Sequence, residues 1–356
     1  MSVEEIQLAP CGPGQVRVRL HASGVCHSDL SVAAGAIPFM FPTVLGHEGA
    51  GVVEEVGPGV TRVAAGQHVV LTWMPPCRYC FFCLAGQPML CENGLGESLG
   101  SPYASLGGGQ LVRGLGTATF AEQTLVPERS VVPVDSSIPM ELLALVGCAL
   151  GTGTGAVWNT ARVEAGSSVA VVGCGGVGLA VVQAARLAGA SEIVAVDKVA
   201  SKLDAARAFG ATTVIDASVL EASGGDTVAA VREATSGRGA DYAFEVVGRS
   251  ETIRQSFSMT RRGGTTVIVG AGSPDDEVRF SAMDLFVDAK TIRGCVYGST
   301  DPDRDFPRLV EMIARGGIDA ASMVTRRIGL DEIDDAFRAM SAGEVLRSVV
   351  VMAGGG

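Results

Sequence analysis

Residues 169–197, VAVVGCGGVGLAVVQAARLAGASEIVAVD, constrain the fold more than any other stretch. Val169 to Val172 form an apolar run of the kind that makes a fully buried strand. Gly173, Gly175 and Gly178 follow at the G-x-G-x-x-G spacing, with Gly176 between them, and a helical pattern opens at once through Val177, Ala180, Val181, Ala184 and Leu187. A second apolar run ends in Asp197. The first glycine permits a tight turn, the second lets backbone approach a pyrophosphate, and the third lets helix and strand pack closely. The helix N-terminus then offers free N–H groups and a positive dipole end to phosphate. Asp197 stands where a ribose diol would be bound. The alternative is an ordinary glycine-rich turn, but strand, helix, second strand and terminal acid are all in register.

From residue 167 onward strands and helices alternate. Helices are expected at 199–209, 226–235 and 250–261, and strands at 212–216, 241–247, 265–270 and 290–297. That pattern predicts an α/β fold with a doubly wound parallel Rossmann sheet of about six strands. The first third is different, β-rich and rich in turns, with strands near 15–20, 43–57 and 66–73, an irregular surface loop over 93–118, and a helix over 139–150. Beyond residue 300 a helix (305–315), strand (323–327), helix (331–341) and strand (348–352) are expected to return and complete the first domain. The expected divisions are 1–149, 150–296 and 297–356, ample chain for two cores.

The formal charge is −11 with no basic run, a poor basis for binding nucleic acid. Neither a signal peptide nor a transmembrane helix is read, so no membrane partner and a cytoplasmic location are expected. Nine cysteines then call for a reducing-compartment explanation, metal ligation first. Cys77, Cys80, Cys83 and Cys91 give C-x2-C-x2-C-x7-C. Four thiolates at that spacing close a tetrahedral shell around Zn2+ and leave no open position, so the lobe 77–91 reads as structural rather than as four free core cysteines. Cys26, His47 and Cys148 are dispersed. On spacing alone Cys26 reads as a small core residue and His47 as a structural strand histidine, with ligation the alternative.

GVCHSDL, GHEGAGVVEEVGPGV, the four-cysteine lobe, the VGC…GTG stretch and GCGGVG occur in this order and at these intervals over nearly the whole chain. Together they resemble the zinc-dependent medium-chain alcohol dehydrogenases, nearest to class III-like or thiol-dependent formaldehyde dehydrogenase-like members. The resemblance implies a GroES-like catalytic domain around the Rossmann domain, NAD as cofactor, two Zn2+ per chain, and interconversion of a primary alcohol and its aldehyde. The family usually carries a further strand before the one at 15–20. Cys26, His47 and Cys148 match the ligands of the catalytic zinc, Glu48 the nearby acid, Asp29 the carboxylate that orients His47, and Ser28 the hydroxyl that bonds the substrate oxygen. Ser31 stands where some members end the proton relay with histidine. His27 and Arg347 match phosphate contacts, Asp197 and Lys202 adenosine-ribose contacts, and Val177 the residue behind the nicotinamide. Thr152, Val269, Cys295 and Tyr297 complete the implied cofactor set. Trp73 matches the inner wall of the substrate pocket, with Ile37 and Leu115 as further apolar wall and Gly114 expected to widen the channel. The strand near 290–297 resembles one that relatives pair across a two-fold, implying a homodimer, with a tetramer also open.

Other residues receive plainer readings. Cys174 is a spacer in the glycine turn, His21 and His68 are structural, and Cys11 and Cys295, on the residues alone, fill the core. The acids at 301, 303 and 305 are expected to face solvent and cap the following helix. Two rival functions remain. One is a formaldehyde dehydrogenase acting on an S-hydroxymethyl adduct of a thiol, although Leu95 replaces the arginine that glutathione-dependent members carry. The other is a zinc-knuckle module contacting nucleic acid, which the acidic charge and the complete dinucleotide unit disfavour.

Overall fold

The computed structural model describes residues 1–134 and 137–352. The chain forms two compact units, Met1–Gly151 together with Thr300 onward, and Thr152–Ser299.

The second unit is a six-stranded parallel sheet. From one edge its order is Thr213–Asp216, Glu192–Asp197, Ser168–Val172, Ala240–Glu245, Thr260–Ile268 and Thr291–Gly294. Helices Gly176–Leu187, Ala200–Phe209, Thr227–Ala234 and Ser250–Met259 lie between successive strands. The central strands are buried on both faces, so they read as unbroken apolar runs: Val169, Ala170, Val171, Val194, Ala195, Ala243 and Phe244 have no exposed surface. Two short helices were not anticipated. Ala217–Ala222 is started by the Asp216 carboxylate, which accepts from the N–H groups of Ser218 and Val219, and Ala282–Asp288 by the Ser281 hydroxyl. The first buries only Ala217 and the second buries nothing, so neither leaves an apolar period to find.

The first unit is built on a seven-stranded sheet. Val324–Ile328, Arg347–Val351, Gln15–Gly24, Glu48–Val56, His68–Leu71 and Val131–Pro133 follow in order, and Gln123–Pro127 also pairs with Gln15–Gly24. Val16, Val18, Leu20, Val53, Val69, Leu71, Phe337 and Val350 form its core. The end of the chain does return: Arg347–Val351 lies antiparallel to Gln15–Gly24. A smaller four-stranded sheet orders Gln7–Leu8, Ala104–Leu106, Gly109–Arg113 and Thr43–Val44.

Three expectations are corrected in this unit. Residues 93–118 are not an irregular loop: they hold a helix, Gly94–Gly100, and the strands Ala104–Leu106 and Gly109–Arg113. The organiser is Arg113, 1% exposed, whose guanidinium donates to the carbonyls of Leu125 (2.7 Å), Pro102 (3.1 Å) and Ser98 and lies over the Tyr103 ring. A lone buried arginine feeding carbonyls leaves no periodicity. The helix over 139–150 is interrupted: Met140–Leu143 continues into the tighter turn Ala144–Gly147, and Cys148 leaves helical geometry (φ −145°, ψ −71°) before a new helix begins at Ala149. The acids near 300 do not simply face solvent. Asp301 and Asp303 both pair with Arg78 (2.5 and 2.6 Å) and Asp303 with Arg62 (2.5 Å), while Asp305 is buried and accepts from the Asp301 N–H. No single helix among the described residues is long and apolar enough to cross a membrane.

Candidate active site and metal centres

In the first unit the strand expected over 43–57 is broken at Leu45–His47, and the break builds the site. Gly46 adopts φ +92°, which a glycine tolerates, and turns the chain so that Asp29 grips it twice. Asp29 Oδ1 accepts the Gly46 N–H at 2.8 Å, and Oδ2 lies 3.0 Å from His47 Nδ1. With Nδ1 held by a carboxylate, Nε2 is the nitrogen left to ligate. Cys26 immediately precedes the helix His27–Ala33, which carries Ser28 and Asp29. Cys148 sits at the helical interruption, where Gly147 packs against the Leu71 carbonyl so closely that a Cβ would come within 2.7 Å of it.

These pieces converge. One ligand atom each from Cys26, His47, Glu48 and Cys148 lies within 4.8 Å of the others, and all four residues are buried. Arg347 pairs with Glu48, and both are buried. Arg347, expected to contact a cofactor phosphate, pairs with the metal-site acid through Nη2, and its Nε has no hydrogen-bond partner among the described residues. Nothing local in sequence could reveal a pair 299 positions apart. A hydrogen bond from the Cys148 thiol holds Cys26 well below the usual thiol range, and Cys148 is pushed up in turn. Burial alone would lower His47, but Asp29 and Cys26 raise it well above the ordinary imidazole value. Burial pushes Glu48 up to about 7 against the opposing pull of Arg347. A buried set of two sulfurs, an imidazole and a carboxylate is stable in its deprotonated form only around a cation, and this donor set fits Zn2+.

The second cluster is Cys77, Cys80, Cys83 and Cys91, again with all sulfurs within 4.8 Å of one another. Its sulfurs accept from main-chain N–H groups: Cys77 to Cys91 at 3.1 Å, Cys80 to Cys77 at 3.3 Å and Gly94 to Cys91 at 3.3 Å. The Asn93 amide adds a bond to Cys77 at 3.4 Å. Burial would raise the Cys77 thiol, but the Asn93 amide and the N–H groups of Tyr79 and Cys80 bring it down to about 6. Four sulfurs suit the tetrahedral shell of a structural zinc.

Around the first cluster, Trp73 lies edge-on to the His47 ring with centroids 6.3 Å apart. Leu95 Cδ1 and the Trp73 carbonyl both lie beside Gly116, next to the half-buried Leu115, and Ile37 is also half-buried. Gly114 does not widen a channel: a Cβ there would strike the Val44 carbonyl and the Leu45 backbone, so its bareness serves packing. His27 is exposed at the first position of its helix.

In the second unit the glycine turn fits a dinucleotide. Gly173 has φ +94°, Gly178 packs on the Gly173 carbonyl with no room for a Cβ, and Gly175 opens on free space. Gly176 and Val177 begin the helix. Asp197 Oδ2 accepts the Cys174 N–H at 2.7 Å, and Oδ1 accepts from Lys198 and Val199, which leaves about one lone-pair site, on Oδ2, still to offer. Lys202 follows on the next helix, Val269 donates its N–H to the Glu245 carbonyl, and Thr152 and Tyr297 are buried. Cys295 is buried with its sulfur accepting from Thr160, a core position, as the residue alone suggested.

Comparison with known proteins agrees with this chemistry. The alcohol dehydrogenase GroES-like domain model matches residues 12–136 and the zinc-binding dehydrogenase model residues 176–315. The chain is 38% identical to the class-3 alcohol dehydrogenase of Drosophila melanogaster, over 98% of this chain and 93% of that protein. It is 37% identical to the S-(hydroxymethyl)glutathione dehydrogenase of Paracoccus denitrificans, over 99% and 96%. Among solved structures, benzyl alcohol dehydrogenase from Acinetobacter calcoaceticus superposes with a TM-score of 0.91 at 34% identity, covering 99% of this chain and 96% of the other. Likeness of this extent over the whole chain places it in the zinc-dependent medium-chain alcohol dehydrogenases, NAD(H)-linked enzymes that interconvert alcohols and aldehydes.

Proposed function

We propose that the substrate is a primary alcohol of medium length or with an aromatic body, or the matching aldehyde, and that ethanol is used poorly. The carrying observation is the Trp73 indole set edge-on to the His47 ring, with centroids 6.3 Å apart. Cys26, His47 and Cys148 would hold a zinc ion, which would supply Lewis acidity toward an alcohol or carbonyl oxygen, and the dinucleotide would supply the hydride chemistry. Asp29 fixes the tautomer and orientation of His47. Ser28, whose Oγ is 3.8 Å from Cys26 Sγ, takes the hydroxyl proton and passes it outward, and with Ser31 in place of a histidine the last acceptor is water. Arg347 neutralises Glu48 and so limits negative charge beside the two sulfurs.

Asp197 repels a 2′-phosphate and favours NAD(H) over NADP(H). The enzyme is cytoplasmic, consistent with all nine cysteines being free. It is an isologous homodimer: Thr291–Gly294 is an edge strand, and Phe286, Met283 and Val287 of the neighbouring helix are 81%, 65% and 50% exposed. Light scattering that reports a stable monomer would refute the dimer.

The second reading, an S-hydroxymethyl adduct of a thiol, is favoured by the names of the relatives and opposed by the apolar Leu95. A panel of alcohols and aldehydes followed at 340 nm, with and without added thiol, separates them. Activity on free medium-length or aromatic alcohols supports the main reading, and activity confined to formaldehyde plus thiol transfers it to the second.

A further inference from the structure

The strand order of the second unit reverses between Ser168–Val172 and Ala240–Glu245, and ligands of open parallel sheets sit outside the carboxyl ends of the strands at such a point. Gly173 closes one of these strands and the turn Val246–Gly248 the other. The two touch. A Cβ on Gly173 would lie 2.8 Å from Val247 Cγ2 and 3.4 Å from the Val246 carbonyl carbon. The placement of that turn therefore sets how much room is left beside the glycine turn.

Glu245 holds it. The residue ends its strand with no exposed surface. Its Oε1 accepts three hydrogen bonds, from the N–H groups of Val247 (2.9 Å) and Gly248 (2.8 Å) and from the Thr252 hydroxyl (2.7 Å). Its main-chain carbonyl accepts from Val269 (2.8 Å) and Gly270 (3.0 Å), which ties the next strand's end to the same point. Yet Oε2 is buried and has no hydrogen-bond partner among the described residues. A buried carboxylate with one idle oxygen is a costly way to hold a turn. Its return is three donors gathered on the other oxygen, which together pin the turn.

We infer that Glu245 is a positioning residue for the nicotinamide-ribose half of the dinucleotide, fixing the turn Val246–Gly248 against Gly173. The inference rests on the NAD(H) reading of this unit. The adenosine half belongs to the other side of the reversal, where Asp197 ends its strand and holds the Cys174 N–H. Glu245 thus acts on one half of the ligand and not the other.

Binding of NADH and of ADP, which lacks the nicotinamide ribose, to the purified zinc-loaded enzyme tests this. In Glu245→Ala the NADH Kd should rise roughly tenfold or more, while ADP binding stays within about twofold. The KM for NAD+ should rise in parallel, with kcat at saturating NAD+ and the KM for alcohol changing by less than about twofold. Glu245→Gln keeps an oxygen for the same three donors and should restore most of the affinity. Should Glu245→Ala not fold, Thr252→Val removes a single donor and should weaken NADH roughly two- to threefold without changing ADP. Equal weakening of NADH and ADP, or a lowered Tm with an unchanged NADH Kd, would overturn the inference. A wild type that binds no NADH would overturn the underlying reading as well, whereas variants equal to a binding wild type would overturn the inference alone.

Discussion

The lobe at 77–91 takes its four sulfurs from fifteen consecutive residues, whereas the Cys26–His47–Cys148 centre spans 123 positions and three separate elements. The lobe is wired mostly by its own backbone, through N–H groups of Cys77, Cys80 and Gly94. The centre is wired by distant side chains, Asp29 on His47 and Arg347 on Glu48. The lobe can therefore organise around its metal from local geometry alone. The centre exists only when the surrounding sheet is complete. Equal metals in unequal surroundings should do unequal work: stability in one place, turnover in the other.

Removing one sulfur from each cluster gives the largest contrast. Cys26→Ala and Cys148→Ala should lose roughly a thousandfold or more in kcat, a loss of about 4 kcal/mol in barrier lowering, and still fold and bind NADH. Cys80→Ala should instead lower Tm, by roughly 10 °C for about 4 kcal/mol of lost zinc-linked stability. Metal analysis should show two zinc ions per wild-type chain and about one in either class of variant. Full activity in Cys26→Ala, or a single zinc in the wild type, would erase the contrast.

Asp29→Asn sharpens it from the side of the supporting shell. The amide keeps the shape but not the charge beside His47, and should cost roughly 10- to 100-fold in activity or zinc affinity at that centre, with the lobe's zinc retained. Zinc content and kcat/KM measured together decide this. The apolar wall comes next. Each buried methylene should add about 0.8 kcal/mol, so kcat/KM should climb roughly fourfold per carbon from ethanol until the pocket is filled. Trp73→Ala should admit secondary alcohols, and a flat chain-length profile in the wild type would remove the pocket reading.

The smallest effect concerns the ion pairs that anchor the lobe. Burial alone would raise Asp303, but Arg62 and Arg78 hold its carboxyl below the ordinary value of 3.8. A carboxyl lowered on folding contributes stability that is complete above its unfolded pKa and drains away as pH falls through the folded one. Asp303→Asn should therefore cost no more than about 1 kcal/mol at pH 7, and the difference from wild type should shrink only below about pH 4. Chemical denaturation across that range is the check.

What the sequence reveals follows the same division between local and distant. The Cys77–Cys91 spacing and the Gly173–Asp197 unit announce themselves because their geometry is set by near neighbours. Cys26 and His47 do not, and only family resemblance lifts them above ordinary core residues. The Glu48–Arg347 pair, the Arg113 hub and the Arg78–Asp301 tie are invisible because each depends on groups brought together by the finished fold. Gly114 misled for a related reason. An absent side chain reads as open space until the Val44 carbonyl is seen to occupy it.

The return of Arg347–Val351 to Gln15–Gly24 also orders events during synthesis. Translation makes the first unit's opening strands, then the entire nucleotide-binding unit, and only afterwards the strand that pairs with Gln15–Gly24. Arg78 must wait for a partner 223 residues downstream. Meanwhile Thr152–Ser299 emerges as one uninterrupted stretch that can fold on arrival, while the earlier sheet waits with an unpaired edge open to wrong partners. The four-cysteine lobe is free to take its metal early, but Glu48 meets Arg347 only after the whole nucleotide-binding unit has been made. The enzyme's chemistry is thus the final thing to be assembled, and a chain cut short before Arg347 should carry a metal-binding lobe and a nucleotide-binding unit without a finished active centre.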